Sequence, residues 1–229
     1  PHLSEVHPVL TGRLDLHLEN LAAVDLATDC DCVFSCLPHA ASARTVKPLV
    51  DAGLRVVDLS ADYRLDDLSV YEQWYDPEHP DPQRVGKTVY GLPEWFRESI
   101  PSAPLVANPG CYPTSAILGL APLLKAGHID PVGIIVDSKS GVSGAGRNPS
   151  PVTHFVECHE SVTAYNVGKH RHTPEIDQVL SGLVEGSVKV VFTPHLIPME
   201  RGILTTAYGR ATSDLDSAGL LAELKTCYQ

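Results

Sequence analysis

Residues 32–60 read CVFSCLPHAASARTVKPLVDAGLRVVDLS, and the order of their parts decides the fold. CVFSCL is a short apolar run rich in β-favouring residues, and PHAAS reads as a turn. ARTVKPLVDAG has helical spacing and stops at Gly53, and LRVVDLS is a second apolar run. Strand, helix and strand in that order make a βαβ unit, which commits the two strands to a parallel sheet with a right-handed crossover. PLVAN at 104–108 reads as the next strand, and residues 60–103, from SADYRLDDLSVYEQWYDPEHP to YGLPEWF, as a polar, aromatic-bearing excursion rich in Pro and Asp. Residues 1–29 carry only weak signals.

Beyond residue 110 the pattern changes. A helix is expected over 113–126, then a strand in VGIIVDS, a glycine-rich loop SGVSGAGRNPSP and a helix opened by Thr173 as N-cap with Pro174 and Glu175 behind it. VKVVFTPHLIP and RGILTTAYGRA read as long strands of a mixed or antiparallel sheet. The fold class is therefore α/β, with a parallel-sheet part over 1–110 and an α+β part over 111–229. The chain opens on PHLSEVHPVL and closes inside SDLDSAGLLAELKTCYQ, an amphipathic helix start without a stop signal, so it reads as a fragment cut at both ends.

At the junction, ANPGCYPTSA (107–116) holds a lone cysteine in a turn made of backbone-shaping residues. Pro113 suits the first turn of a helix, so Cys111 is expected at a helix N-terminus. Unpaired amides and the positive dipole end there favour a thiolate, lowering a cysteine pKa from roughly 8.5 to about 7.5 or below. The same amides suit an oxyanion on a carbonyl that the sulfur attacks. Pro109 restricts Asn108 to extended backbone, and Gly110 is expected to use a positive φ that lets a substrate approach.

The bulk composition sets the class. The chain has 229 residues, 43% of them hydrophobic, and a formal net charge of −11, which argues against non-specific nucleic-acid binding. Six cysteines in a chain of this length do not form a secreted disulfide framework, and neither a signal peptide nor a membrane span is evident, so a cytoplasmic location is expected.

Other clusters carry less. Cys30, Cys32, Cys36 and His39 in DCDCVFSCLPH have a spacing that matches no common zinc site, and buried strand thiols are the simpler reading. Gly86-Lys87-Thr88 lacks the first glycine of a phosphate loop, since Asp81 stands there. No metal is expected. In an extended segment His170 and His172 point the same way, and either imidazole suits an acid/base partner for Cys111 better than a metal site. The loop Ser140-Gly141-Val142-Ser143-Gly144-Ala145-Gly146-Arg147 offers close backbone approach to an anionic ligand.

Taken together and in order, DCVFSCLPH, VVDLSADYRL, YGLPE, ANPGCYPTSA, SKSGVSGAGR, AYNVGKHRHTPEI and TPHLIPMERGILTT resemble the N-acetyl-gamma-glutamyl-phosphate reductases over nearly the whole chain. The resemblance implies a partial Rossmann domain over 1–110, whose first βα phosphate-binding turn is missing, and a glyceraldehyde-3-phosphate-dehydrogenase-like substrate domain over 111–229, whose C-terminal helix is missing. It implies NADPH-dependent reduction of N-acetyl-L-glutamyl 5-phosphate to the 5-semialdehyde in arginine biosynthesis, by a homo-oligomer (dimer or tetramer), and a fragment inactive alone.

By the same resemblance the nucleophile is Cys111 and the acid/base is His170 or His172, between which the spacing does not choose. Glu175 is expected to orient an imidazole or contact substrate, with Asn108, Arg147, Arg171 and Arg201 on the substrate's phosphate and carboxylate. The NADP contacts are expected at Leu37, Pro38, His39, Ser140, Gly141, Ser143 and Gly144. Without the resemblance, Cys111 and a histidine also suit a cofactor-independent acyl transferase or hydrolase, and a chain without its nucleotide turn also suits a non-catalytic remnant.

Overall fold

The computed structural model describes residues 1–20 and 30–229, so the weak stretch at 21–29 lies outside the described residues. β1 (Cys32–Ser35), α1 (Ala41–Asp51) and β2 (Arg55–Asp58) form the expected βαβ unit, with β1 parallel to β2 in the register Val33 to Val56. Gly53 ends the helix with φ 89°, a conformation that favours glycine. α2 (Leu68–Trp74) follows, then β3 (Val89–Tyr90) and β4 (Leu105–Ala107), and the sheet order is β1-β2-β4-β3, all parallel.

The excursion at 60–103 is not a solvated detour. It adds an edge strand to the sheet and buries Asp62, Tyr63, Arg64, Tyr71, His79 and Asp81. Its buried polar residues are hydrogen-bonded, partly to one another and partly to neighbouring segments, as buried polar groups require. Tyr63 donates to Asp81 at 3.0 Å and Tyr71 to Asp62 at 2.9 Å. The strand thiols also depart from expectation. Cys32 and Cys36 are exposed and Cys30 half-buried, because β1 turns its buried face only at Ser35.

The second sheet is built from β5 (Ile135–Ser140), β6 (Thr163–Ala164), β7 (Val191–Leu196) and β8 (Ile203–Tyr208), in the order β6-β7-β5-β8. It is mixed: β5 runs parallel to β7 and antiparallel to β8. Two helices pack on one face, α3 (Cys111–Lys125) and α4 (Thr173–Gly182), and α5 (Ser217–Cys227) lies against α3. Ile117, Leu120 and Leu124 of α3 meet Ile176 and Leu180 of α4 and Val136 and Phe192 of the sheet. Each such side chain, fully buried, contributes about 1.5–3 kcal/mol. α3 therefore serves as the buried spine that carries the chain from the first sheet into the second, and it starts at residue 111, two residues before the expected start.

Candidate active site

Cys111 stands where the first sheet ends and the spine begins. β4 leads into Asn108-Pro109-Gly110, the Asn108 amide donates to the Asp58 carbonyl at 2.8 Å, and Gly110 is the N-cap of α3. Pro113 falls in the first helical turn, where a missing N–H costs nothing. Cys111 is exposed on the side that faces a cavity of about 620 Å³. The surrounding protein still removes enough water for burial to push its thiol up, against the opposing pull of the Tyr112 and Cys111 amides and of Arg64. The expected helix-terminus stabilisation of a thiolate is present and is outweighed.

Gly110 is held for a reason other than the one expected. Its φ is −66°, which any residue adopts. A Cβ there would lie 2.7 Å from His172 Nε2 and 3.0 Å from Glu175 Oε2. Glycine is required because the histidine and the glutamate press against the backbone just before the cysteine. Glu175 Oε1 accepts hydrogen bonds from the Gly110 amide and the Tyr90 hydroxyl, both at 2.8 Å. Fully buried, Glu175 does not line the cavity. Its carboxyl is pushed up by burial and pulled down by Arg64, whose Nη1 is 3.5 Å from Oε2.

Arg64 is the residue that sequence reading missed. It lines the cavity, and its Nε donates to the Asn108 carbonyl at 2.7 Å and its Nη2 to the Leu59 carbonyl at 2.8 Å. A signal existed: Arg64 lies in VVDLSADYRL just after a strand's carboxyl end, where open α/β sheets place ligands. Tyr75, Tyr112 and Tyr165 join the lining as well.

His170 and His172 both line the cavity, with ring centroids 4.9 Å apart. The segment is a turn and not extended. His172 has helical backbone and is the N-cap of α4, the place expected for Thr173. His170 Nδ1 accepts the His172 amide at 3.1 Å, which leaves its proton on Nε2, and its ring packs among Tyr112, Tyr165 and Phe192. Among the described residues, His172 Nδ1 is buried without a partner. Burial drives both imidazoles down to about 3, helped at His170 by His172 and at His172 by Arg64, so both are neutral at physiological pH.

The other expected contacts divide. Leu37, Pro38, His39, Gly144 and Arg171 line the cavity. Arg171 donates from Nη1 to His39 Nε2 at 2.6 Å and lies over the Tyr75 ring, 5.3 Å from its centroid. Asn108, Ser140, Gly141, Ser143, Arg147 and Arg201 do not line it. Gly141 is small because a Cβ would meet the Arg201 amide nitrogen at 2.6 Å, so residues 141–143 are zipped to residues 199–202 and the loop meets the cavity at Gly144 and Ala145 instead. Ser143 N–H bonds the Glu200 carbonyl, Ser140 is buried, and Arg147 and Arg201 are exposed. Among the described residues no group of three His, Cys, Asp or Glu is placed to hold a metal, and no helix is long and apolar enough to cross a membrane.

Comparison with known proteins meets this geometry. Residues 111–229 match the family described as semialdehyde dehydrogenase, dimerisation domain, and residues 1–103 match semialdehyde dehydrogenase, NAD binding domain. A protein of Rhodopirellula baltica named N-acetyl-gamma-glutamyl-phosphate reductase is 53% identical over 226 residues, covering 97% of this chain and 65% of that protein. One of the same name from Moorella thermoacetica is 52% identical over 206 residues, covering 90% and 60%. The chain thus spans about 60–65% of the length of these curated relatives. Among solved structures, aspartate semialdehyde dehydrogenase II from Vibrio cholerae superposes with a TM-score of 0.68 at 16% identity, over 91% of this chain and 63% of that one. Aspartate semialdehyde dehydrogenase from Francisella tularensis gives 0.62 at 12% identity, over 93% and 67%. The two-sheet α/β fold is that of these enzymes, and the chain belongs to the semialdehyde dehydrogenase family.

Proposed function

We propose that this chain carries the cysteine-bearing part of an enzyme of arginine biosynthesis that reduces N-acetyl-L-glutamyl 5-phosphate with NADPH to the 5-semialdehyde and phosphate. One observation carries the reading: Cys111 begins a buried helix, opens on a cavity, and has His172 Nε2 pressed against the residue before it. The names of the relatives supply the substrate. The boundary at 110/111, the cytoplasmic location and a homo-oligomer assembled on the outer face of the second sheet belong to the same proposal.

The cavity fits a nicotinamide dinucleotide. It runs along the carboxyl ends of β1 and β2, with Leu37, Pro38 and His39 as one wall and Gly144 on the other side, where parallel α/β sheets take nucleotides. Bound there, NADPH supplies one hydride to the acyl carbon.

The chain's own groups do the rest. The neutral His172 imidazole takes the Cys111 proton, the sulfur attacks the acyl carbon, and the C–S bond forms as the C–O bond to phosphate breaks and phosphate leaves with the electron pair. Amides at the start of α3 receive the carbonyl oxygen as it gains charge. After reduction, His172 holds the proton of the thiohemiacetal hydroxyl, and loss of that proton breaks the C–S bond and frees aldehyde and thiolate. His170 positions His172 through its backbone amide. Arg171, on the cavity wall, grips an anionic group of the substrate, while Arg64, its nitrogens engaged, sets the local field.

The test uses the intact protein and the free acyl phosphate. NADPH oxidation should depend on the acyl phosphate and fall at least about 10³-fold in Cys111→Ser. Phosphate release without NADPH oxidation would instead support a cofactor-independent hydrolase.

A further inference from the structure

The first turn of α1 has no side-chain cap of its own, since Ala40 occupies the N-cap with φ 64°, the left-handed region where alanine is strained. The missing acceptor comes from far along the chain. Asp62, fully buried, accepts the Ala40 amide on Oδ1 at 2.7 Å and the Ala43 amide on Oδ2 at 2.8 Å. Tyr71 donates to Oδ1 at 2.9 Å, the Asp62 amide donates to Ser60 Oγ at 3.0 Å, and its carbonyl meets His79 Nε2 at 2.7 Å. The carboxylate is therefore oriented from three sides before it reaches the helix.

What it holds is the cavity rim. Leu37, Pro38 and His39 run directly into Ala40, and the Pro38 carbonyl accepts the Ser42 amide at 2.9 Å. His39 in turn receives Arg171 Nη1. We propose that Asp62 is a positioning residue that plugs the amino end of α1 with an internal carboxylate and thereby sets the 37–40 rim on which the dinucleotide is seated. Two consequences follow. The strained backbone of Ala40 is kept in place by a bond that water would supply only loosely. With the Ala40 and Ala43 amides spent on Asp62 and the Ser42 amide on the Pro38 carbonyl, these three donors are closed to a ligand's phosphates, so the rim contributes shape and van der Waals contact and the phosphates are gripped elsewhere.

The inference rests on the proposed use of NADPH, and its test separates the two. In the intact chain, Asp62→Asn keeps the size but turns an NH2 toward one of the two backbone donors. NADPH binding, followed by nucleotide fluorescence, should weaken roughly tenfold, with KM for the acyl phosphate and kcat at saturating NADPH within about threefold. A simply loosened fold would move all three together. Exchange of the Ala40 and Ala43 amides with deuterium should accelerate in the same variant. Should Asp62→Asn not fold, Tyr71→Phe removes one bond to the same oxygen, and a two- to fivefold weakening is expected, roughly the worth of one hydrogen bond. Folded Asp62→Asn with NADPH affinity within twofold of the parent, or a Tyr71→Phe variant with none of the expected change, overturns the assignment. A parent chain that binds no NADPH defeats the functional reading instead, and unchanged amide exchange in Asp62→Asn then overturns the plug by itself.

Discussion

In the first sheet the polar side chains turn inward at the carboxyl ends of the strands. Ser42 Oγ donates to Asp58 at 2.6 Å, Ser60 Oγ to the same carboxylate at 2.7 Å, and Ser35 and Ser42 lie 2.7 Å apart, all of them buried. The second sheet does the opposite. Its outer face carries Asp137 with Lys139 at 2.8 Å and His195 at 3.1 Å, beside the exposed Ile135, Val191, Leu204 and Tyr208. The strand registers set these in rows, Val191-Ile135-Tyr208 and His195-Lys139-Leu204. Buried polar groups must be bonded, and bonded groups fix the backbone that carries them, so the first sheet is a device for holding loops in place. A face of exposed apolar side chains set in rows beside surface ion pairs does no such holding and suits a broad, flat contact. One sheet positions the site, and the other carries the face on which the proposed contact with a second copy would form.

The sharpest way to break that division is at the point where both parts meet. Gly110→Ala places a methyl 2.7 Å from His172 Nε2 and 3.0 Å from Glu175 Oε2, and with Glu175 fully buried the half-buried imidazole is the group that must give way. The imidazole has to swing away from the cysteine turn, and kcat/KM should fall by about 10² or more, as for loss of a general acid–base group, with the far-ultraviolet circular dichroism unchanged. A near-normal kcat/KM in this variant would show that His172 does not serve Cys111.

The second test is applied to the outer face. Val191→Glu with Leu204→Glu puts a carboxylate into each of the two rows without touching a buried residue. Sedimentation should show dissociation toward the monomer, with self-association weakened by about tenfold or more, while NADPH affinity per folded chain changes little. An unchanged oligomer would place the contact elsewhere.

The sequence disclosed what is local and hid what is not. The βαβ unit, the stop at Gly53 and a helix opening beside Cys111, within two residues of its observed start, each depend on neighbours within a few residues, so spacing alone reveals them. Arg64 meets the Asn108 carbonyl and Glu175 across 44 and 111 positions, and nothing in its own segment announces those partners. Gly110 was legible as a special residue but not for its cause, because a glycine needed for close approach looks the same in sequence as one needed for a positive φ. Within the loop at 140–147, Gly141 misleads for that reason too: its smallness accommodates the Arg201 backbone, while Gly144 reaches the cavity as expected. The thiol of Cys111 shows two local effects in competition, and only the structure reveals that burial outweighs the helix terminus.

The smallest expected effect concerns pH. Burial holds His170 and His172 at about 3 in the folded chain, against about 6.5 when unfolded. Between those values the unfolded chain binds protons that the folded chain refuses, so stability is full above about pH 6.5 and drains away as pH falls toward 3. Both rings retain some access to solvent, which reduces the effect. Over the interval from pH 7.5 to 5 the pair should cost the fold roughly 1–3 kcal/mol. His170→Asn keeps an oxygen that accepts the His172 amide while removing one titrating ring and its repulsion of the other. Urea midpoints measured at the two pH values should therefore lie closer together in His170→Asn than in the parent, by about half of the parent's difference. Equal differences in the two proteins would mean that the ring of His170 takes up its proton in the folded state as readily as in the unfolded one, and the aromatic box around it would then have to be open to water.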